Sequence, residues 1–154
     1  MKYLYTFLLF FVSTIAQGNA CDPNTHSLKF NGTSSYVEFP ADNDLNISDD
    51  LTVEAWIKAS SFGSSPVSNS IVCKHGWTSG EKGFVLRAGG DGQLSFTIAG
   101  LKYNGTNESW QEVLSPVGAL QLNTWYHVAG TFDGNKLRLY INGSQVASKS
   151  YNGR

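Results

Sequence analysis

Two kinds of residue in this chain have the chemistry to hold a ligand. Trp77, Tyr103 and Trp110 lie in or beside polar loops. There, a flat aromatic face can stack on a sugar ring while loop amides and carboxylates hold its hydroxyls. The second group is Asp42, Asn43, Asp44, Asp49 and Asp50, a loop dense in the oxygen ligands that a hard cation prefers, without the spacing of an EF-hand. Each group has a plainer alternative: Trp77 packed down over its own loop, and a solvated acidic turn over 42–50. Trp56 and Trp125 fall within strand-patterned segments, where a large aromatic is expected to serve the core.

Catalytic chemistry has less to work with. A glycosidase needs two carboxylates flanking the scissile bond, whereas Glu38 and Glu54 each stand alone on a strand-patterned segment. Both read as exposed strand carboxylates beside a neighbouring Lys. Of His26, His75 and His127, none has a second His or Cys at a metal-binding spacing, and no Ser occupies a nucleophile-elbow motif. His127 alternates with Trp125 and Ala129, as a sheet residue with a satisfied ring nitrogen does. No enzymatic activity is expected.

These residues must be positioned by β-structure. Thr124 to Gly143, TWYHVAGTFDGNKLRLYING, reads as two strands joined by a two-residue turn at Asp133-Gly134, with a second turn at Asn142-Gly143. Both dipeptides favour the left-handed backbone angles of tight hairpins. Leu137, Leu139 and Ile141 alternate with Arg138, Tyr140 and Asn142, the period of a strand with unlike faces. The segment LTVEAWIK (51–58) sets Leu51, Val53, Ala55 and Ile57 against Thr52, Glu54, Trp56 and Lys58. Further strands are expected at 28–30, 36–39, 71–74, 83–88, 93–99, 110–114 and 144–150, with a polar loop over 103–109. No helical period is sustained anywhere after Asp22, and the 16 glycines punctuate the chain at short intervals. Such spacing points to an all-β sandwich or barrel.

The amino terminus has a different character. Lys2 precedes an almost wholly apolar run from Tyr3 to Ala16, and Gly18-Asn19-Ala20 offers small residues at a signal peptidase site. Residues 1–20 are therefore expected to be a secretory signal peptide, too short for a membrane span. Without them 134 of the 154 residues remain, enough for one domain. Ten Lys and Arg then face twelve Asp and Glu, with no basic run, which argues against nucleic acid or an anionic membrane as partner. Cys21 and Cys73 leave three alternatives open. They could form a disulfide closing a loop worth roughly 4 kcal/mol. Cys21 could carry a lipid anchor, although Gly18 stands where a lipoprotein signal usually has Leu. Or Cys73 is a small buried apolar residue. Five Asn-x-Ser/Thr sequons, starting at Asn31, Asn46, Asn104, Asn107 and Asn142, would matter only in a eukaryotic secretory pathway.

Four segments in order, SLKFNGTSSYVEFP (27–40), LTVEAWIK (51–58), GFVLRAGGDGQLSFTI (83–98) and NTWYHVAGTFDGNKLRLYINGSQV (123–146), resemble the laminin-G-like, concanavalin A-like jelly-roll family in its pentraxin-related form. The resemblance implies an antiparallel two-sheet β-sandwich (jelly roll) over residues 21–154. It also implies a calcium site at the sandwich rim, for which Asp42, Asp44, Asp49 and Asp50 are the candidates. Such domains usually continue past the position of Tyr151 with further strands, so the domain is expected to be truncated at its C-terminus. The same fold carries glucanases, lectins and adhesion modules. The expectation is a secreted or cell-surface, non-catalytic module that recognises a glycan or an extracellular protein through its rim loops. An ancillary domain of a larger secreted hydrolase and a structural surface lipoprotein are the alternatives.

Overall fold

The computed structural model describes residues 6–7, 26–40, 50–65, 68–74, 83–103 and 106–151. Among the described residues nine strands form, in chain order: β1 (Thr6–Phe7), β2 (Leu51–Ile57), β3 (Asn69–Lys74), β4 (Gly83–Gly89), β5 (Gln93–Tyr103), β6 (Thr106–Leu114), β7 (Tyr126–Phe132), β8 (Lys136–Ile141) and β9 (Ser144–Ser150). No helix occurs among the described residues. One sheet, A, has the order β1-β2-β7-β8-β9, and the other, B, the order β3-β4-β5-β6. Every pairing from β2 onward is antiparallel. The two-residue β1 lies parallel to Thr52 and Val53 at the edge of sheet A.

The alternation read in the sequence decides which faces meet. Val53, Val128, Leu137 and Leu139 from sheet A and Leu86, Leu94 and Phe96 from sheet B are at most 1% exposed and belong to one core. The two sheets therefore pack face to face, as sandwich sheets with one apolar face each must. Gly130 of β7 lies directly beneath Phe96 of β5, so close that an added Cβ would stand 2.5 Å from two ring atoms. The absence of a side chain there lets the fully buried ring seat against the opposite sheet.

Turn chemistry holds the register. Asn142 and Gly143 have φ of 49° and 78°, the paired left-handed angles expected of an Asn-Gly hairpin. The β7–β8 connection is longer than the expected two residues, because Phe132 pairs with Leu137. Asp133 organises it. Its Oδ1 accepts the N–H groups of Asn135 and Lys136 at 3.0 and 2.8 Å, and its Oδ2 takes Arg138 Nη1 at 2.6 Å. The Arg138 bond first, then the backbone N–H groups, holds the Asp133 carboxyl down at about 2. The 115–125 segment is stitched to the β4–β5 turn by N–H donations from Ser115 to Leu94, Gly118 to Asp91 and Leu120 to Gly92, each 2.9 Å.

Several expectations are corrected. Residues 28–30 and 36–39 are in neither sheet, although their sequence alternates; Leu28, Phe30, Val37 and Phe39 are about half exposed. Asn31 builds the turn between them by accepting three N–H groups, from Thr33, Ser34 and Ser35. The turn thus forms locally while its flanks find no sheet partner. Within 103–109, expected as a loop, Tyr103 instead ends β5 and residues 106–109 open β6. Those strands extend past β4 as a two-stranded ribbon, with Leu101 paired to Ser109 and Tyr103 to Thr106. Cys73 is exposed and free on β3, not a buried apolar residue. Cys21, its partner in the disulfide alternative, lies outside the described residues.

Candidate functional site

The outer face of sheet A carries the aromatic residues that sequence reasoning assigned to the core. Trp56 is 62% exposed and Trp125 45% exposed, so neither is a core residue. Phase explains both. Along β2 the inward positions are Leu51, Val53 and Ala55, which turns Thr52, Glu54 and Trp56 outward. Trp125 immediately precedes β7 in phase with His127, whose neighbours Tyr126 and Val128 point the other way. Antiparallel pairing sets Trp56 opposite His127, and their ring centroids are 5.5 Å apart at an interplanar angle of 56°.

Trp56, Trp125, His127 and Asn142 line an open cleft of about 510 Å³, within the size range of small-molecule sites. Its polar groups are held in place. The Asn142 N–H donates to the His127 carbonyl at 2.8 Å, and the His127 N–H returns a bond to Asn142 Oδ1 at 3.0 Å. The Asn142 Nδ2 hydrogens take no part in this exchange. His127 Nε2 lies 3.5 Å from Glu54 Oε2, a contact that becomes an ion pair when the imidazole is protonated. Lys58, just past β2, places its Nζ 5.5 Å from the centroid of the Trp125 ring. Trp125 owes its position to the preceding loop, where Asn123, at φ 58°, donates its N–H to the Ala59 carbonyl at 2.7 Å. The cleft therefore offers two aromatic faces with an amide, an imidazole, a carboxylate and an ammonium around them. Neutral or amphipathic rings suit such a surface.

The residues expected to bind ligand are dispersed. Trp77 lies outside the described residues. Tyr103 ends β5 in the ribbon, with its backbone paired to Thr106. Trp110 is 44% exposed on β6, in the sheet that does not carry the cleft. Of the acidic loop, Asp42, Asp44 and Asp49 lie outside the described residues, and Asp50 is exposed. Among the described residues, no group of three His, Cys, Asp or Glu is placed to hold a metal ion. No helix among them is long and apolar enough to cross a membrane.

Comparison with known proteins agrees with this architecture. The family model Laminin_G_3, described as the concanavalin A-like lectin/glucanases superfamily, matches residues 31–154. The chain belongs to this family. Pappalysin-1 of Mus musculus is 26% identical over 137 residues, covering 83% of this chain. The chain spans 8% of the length of that relative.

Proposed function

We propose that this Laminin_G_3 domain is a non-catalytic extracellular binding module that takes a glycan in the Trp56–Trp125 cleft. The observation that carries this is the pair of exposed tryptophans bracketing His127 and Asn142. Tryptophan faces stack on the C–H face of a sugar ring, while fixed amide, imidazole and carboxylate groups take its hydroxyls. The site lies on a sheet face rather than on the rim loops. Titration of a neutral oligosaccharide panel against the protein and its Trp56→Ala and Trp125→Ala variants tests it. Each variant should bind roughly tenfold more weakly at unchanged stability. Equal affinity in all three proteins would count decisively against the cleft.

An extracellular protein is the second reading. It is favoured by Leu28, Phe30, Tyr36, Val37 and Phe39, five large apolar side chains each about half exposed or more within one short segment. The small share of Pappalysin-1 that the chain matches supports a role as one module of a larger secreted protein. Calcium enters only through the carboxylate-rich sequence of 42–50. A melting temperature raised by calcium and restored by EDTA would support a site there, and identical melting in both would remove it.

A further inference from the structure

The β2 edge of sheet A has one occupant and a second segment fitted to take its place. The occupant is β1, two residues of the expected signal peptide, which pairs with Thr52 and Val53. This is the only parallel pairing among the described residues, and it leaves Glu54 to Ile57 with no described strand on that side. A strand edge with unpaired N–H and C=O groups is a template for another strand. The second segment is Tyr36 to Phe39, YVEF, rich in residues that favour strands. It lies outside both sheets, with Tyr36, Val37 and Phe39 about half exposed or more. Residues 40–50 join it to β2. At roughly 3.3 Å per residue that connection can reach about 36 Å, more than the roughly 23 Å length of a seven-residue strand such as β2. So short a tether holds the segment near the edge at an effective concentration on the order of millimolar.

We propose that β1 is a placeholder on this edge, and that Tyr36–Phe39 adds to β2 as an antiparallel strand once residues 1–20 leave. The proposal rests on the reading of the chain as an exported module. Side-chain faces and charge choose the register. Leu51 and Val53 belong to the core, so Phe39 and Val37 turn inward when they stand opposite those two residues. Glu38 then lies opposite Thr52, and Tyr36 opposite Glu54. Shifted by two residues, Val37 would meet Ala55, but Glu38 would stand opposite Glu54, a like-charge pair that a sheet disfavours. Shifted by one, Val37 and Phe39 would turn to solvent. The favoured register uses Thr52 and Val53, the residues that β1 occupies. The two segments therefore exclude one another, and completion of sheet A is tied to removal of the amino-terminal segment.

Amide hydrogen exchange of the full chain tests this, with protected β7 and β8 amides as the sign of an intact sandwich in every variant. In the unaltered protein residues 36–39 should exchange fast. Thr6→Pro with Phe7→Pro removes both β1 N–H groups, whichever of them faces β2, and should release the edge. Alternate amides within 36–39 should then slow at least about tenfold, as those of a newly paired strand do. In that background Val37→Ser should abolish the slowing, and Tyr36→Ser should leave it. With β1 in place, Val37→Ser should leave Tm unchanged, because the position is half exposed. Equally fast exchange with and without the prolines would overturn the proposal, as would slow exchange at 36–39 in the unaltered chain. Slowing lost with Tyr36→Ser and kept with Val37→Ser would overturn the register. Signal peptidase treatment of the full chain should reproduce the proline result. A chain that the peptidase leaves whole would tell against export, and the proline variants would still decide the strand exchange.

Discussion

Replacing Gly130 with alanine tests how the two sheets meet. A Cβ built there stands 2.5 Å from Cγ and Cδ2 of Phe96 and 3.0 Å from its Cβ. Ordinary carbon contacts lie near 3.5–4.0 Å, so the ring and β7 must separate by roughly an ångström. Phe96 is fully buried and cannot swing away. Overpacking of this kind costs about 1–3 kcal/mol. Against it, Gly130 does not use a left-handed φ, so alanine returns roughly 0.5–1 kcal/mol by restricting the unfolded chain. The net expectation is a loss of about 1–2 kcal/mol, read by urea denaturation and as a fall in Tm of roughly 3–8 °C. The decisive control is Phe96→Ala, in a stabilising osmolyte, with and without Gly130→Ala. Once the colliding ring atoms are gone, the added methyl should be neutral or favourable, giving a coupling of at least about 1 kcal/mol. A Gly130→Ala protein that melts with the unaltered one, or a coupling of zero, would refute this inter-sheet contact.

Three further outcomes are expected. Gly92 has φ of 80°, and a Cβ there would fall on the Leu120 carbonyl oxygen, so Gly92→Ala should cost roughly 3 kcal/mol in denaturation experiments. Leu28→Ser with Phe30→Ser should shift stability by less than about 0.5 kcal/mol, since both are half exposed; Leu86→Ala, fully buried, should cost about 2–5 kcal/mol. Asp133 is held at about 2 against an ordinary 3.8. A carboxyl lowered on folding stabilises above its unfolded value and loses that contribution as pH falls through the folded one. The Tm deficit of Asp133→Asn should therefore be constant at neutral pH and should shrink on acidification between about 3.8 and about 2. A deficit that persists below that range would contradict the Arg138 bond as its origin.

Most of the sandwich is legible in the chain because its signals are local. LTVEAWIK and NKLRLYING alternate without interruption, and their turn residues adopt the backbone angles that their chemistry favours. Alternation alone was less informative at 28–30 and 36–39, because it shows which face would be buried but not whether a partner strand is within reach. The length of the β5–β6 pairing is hidden in the sequence by Asn104-Gly105 and the polar residues around it, a composition as compatible with a two-stranded ribbon as with a loop. The cleft was missed for a different reason. Size alone assigns Trp56 and Trp125 to the interior, whereas phase sets Trp56 with Glu54 and Lys58 and Trp125 with His127.

The core itself fixes where these tryptophans stand. A slip of one residue in the β2–β7 pairing would exchange the faces of β2, carrying Val53 and Ala55 to solvent and Trp56 inward. Val53 and Ala55 are 1% and 5% exposed, sealed beside Val128 and Phe96, and an indole has no room in the space that two small side chains fill. The penalty for slipping is therefore the loss of two buried contacts together with a steric clash. Trp56 is held outward by the volume of its neighbours rather than by any bond of its own. The charged residues around it have a complementary effect: Glu54 against His127, and Lys58 against Trp125, surround the exposed rings with polar groups and keep the aromatic surface from continuing along the sheet edge. The face that a ligand would read is in this sense specified from inside the protein, by residues that no ligand touches.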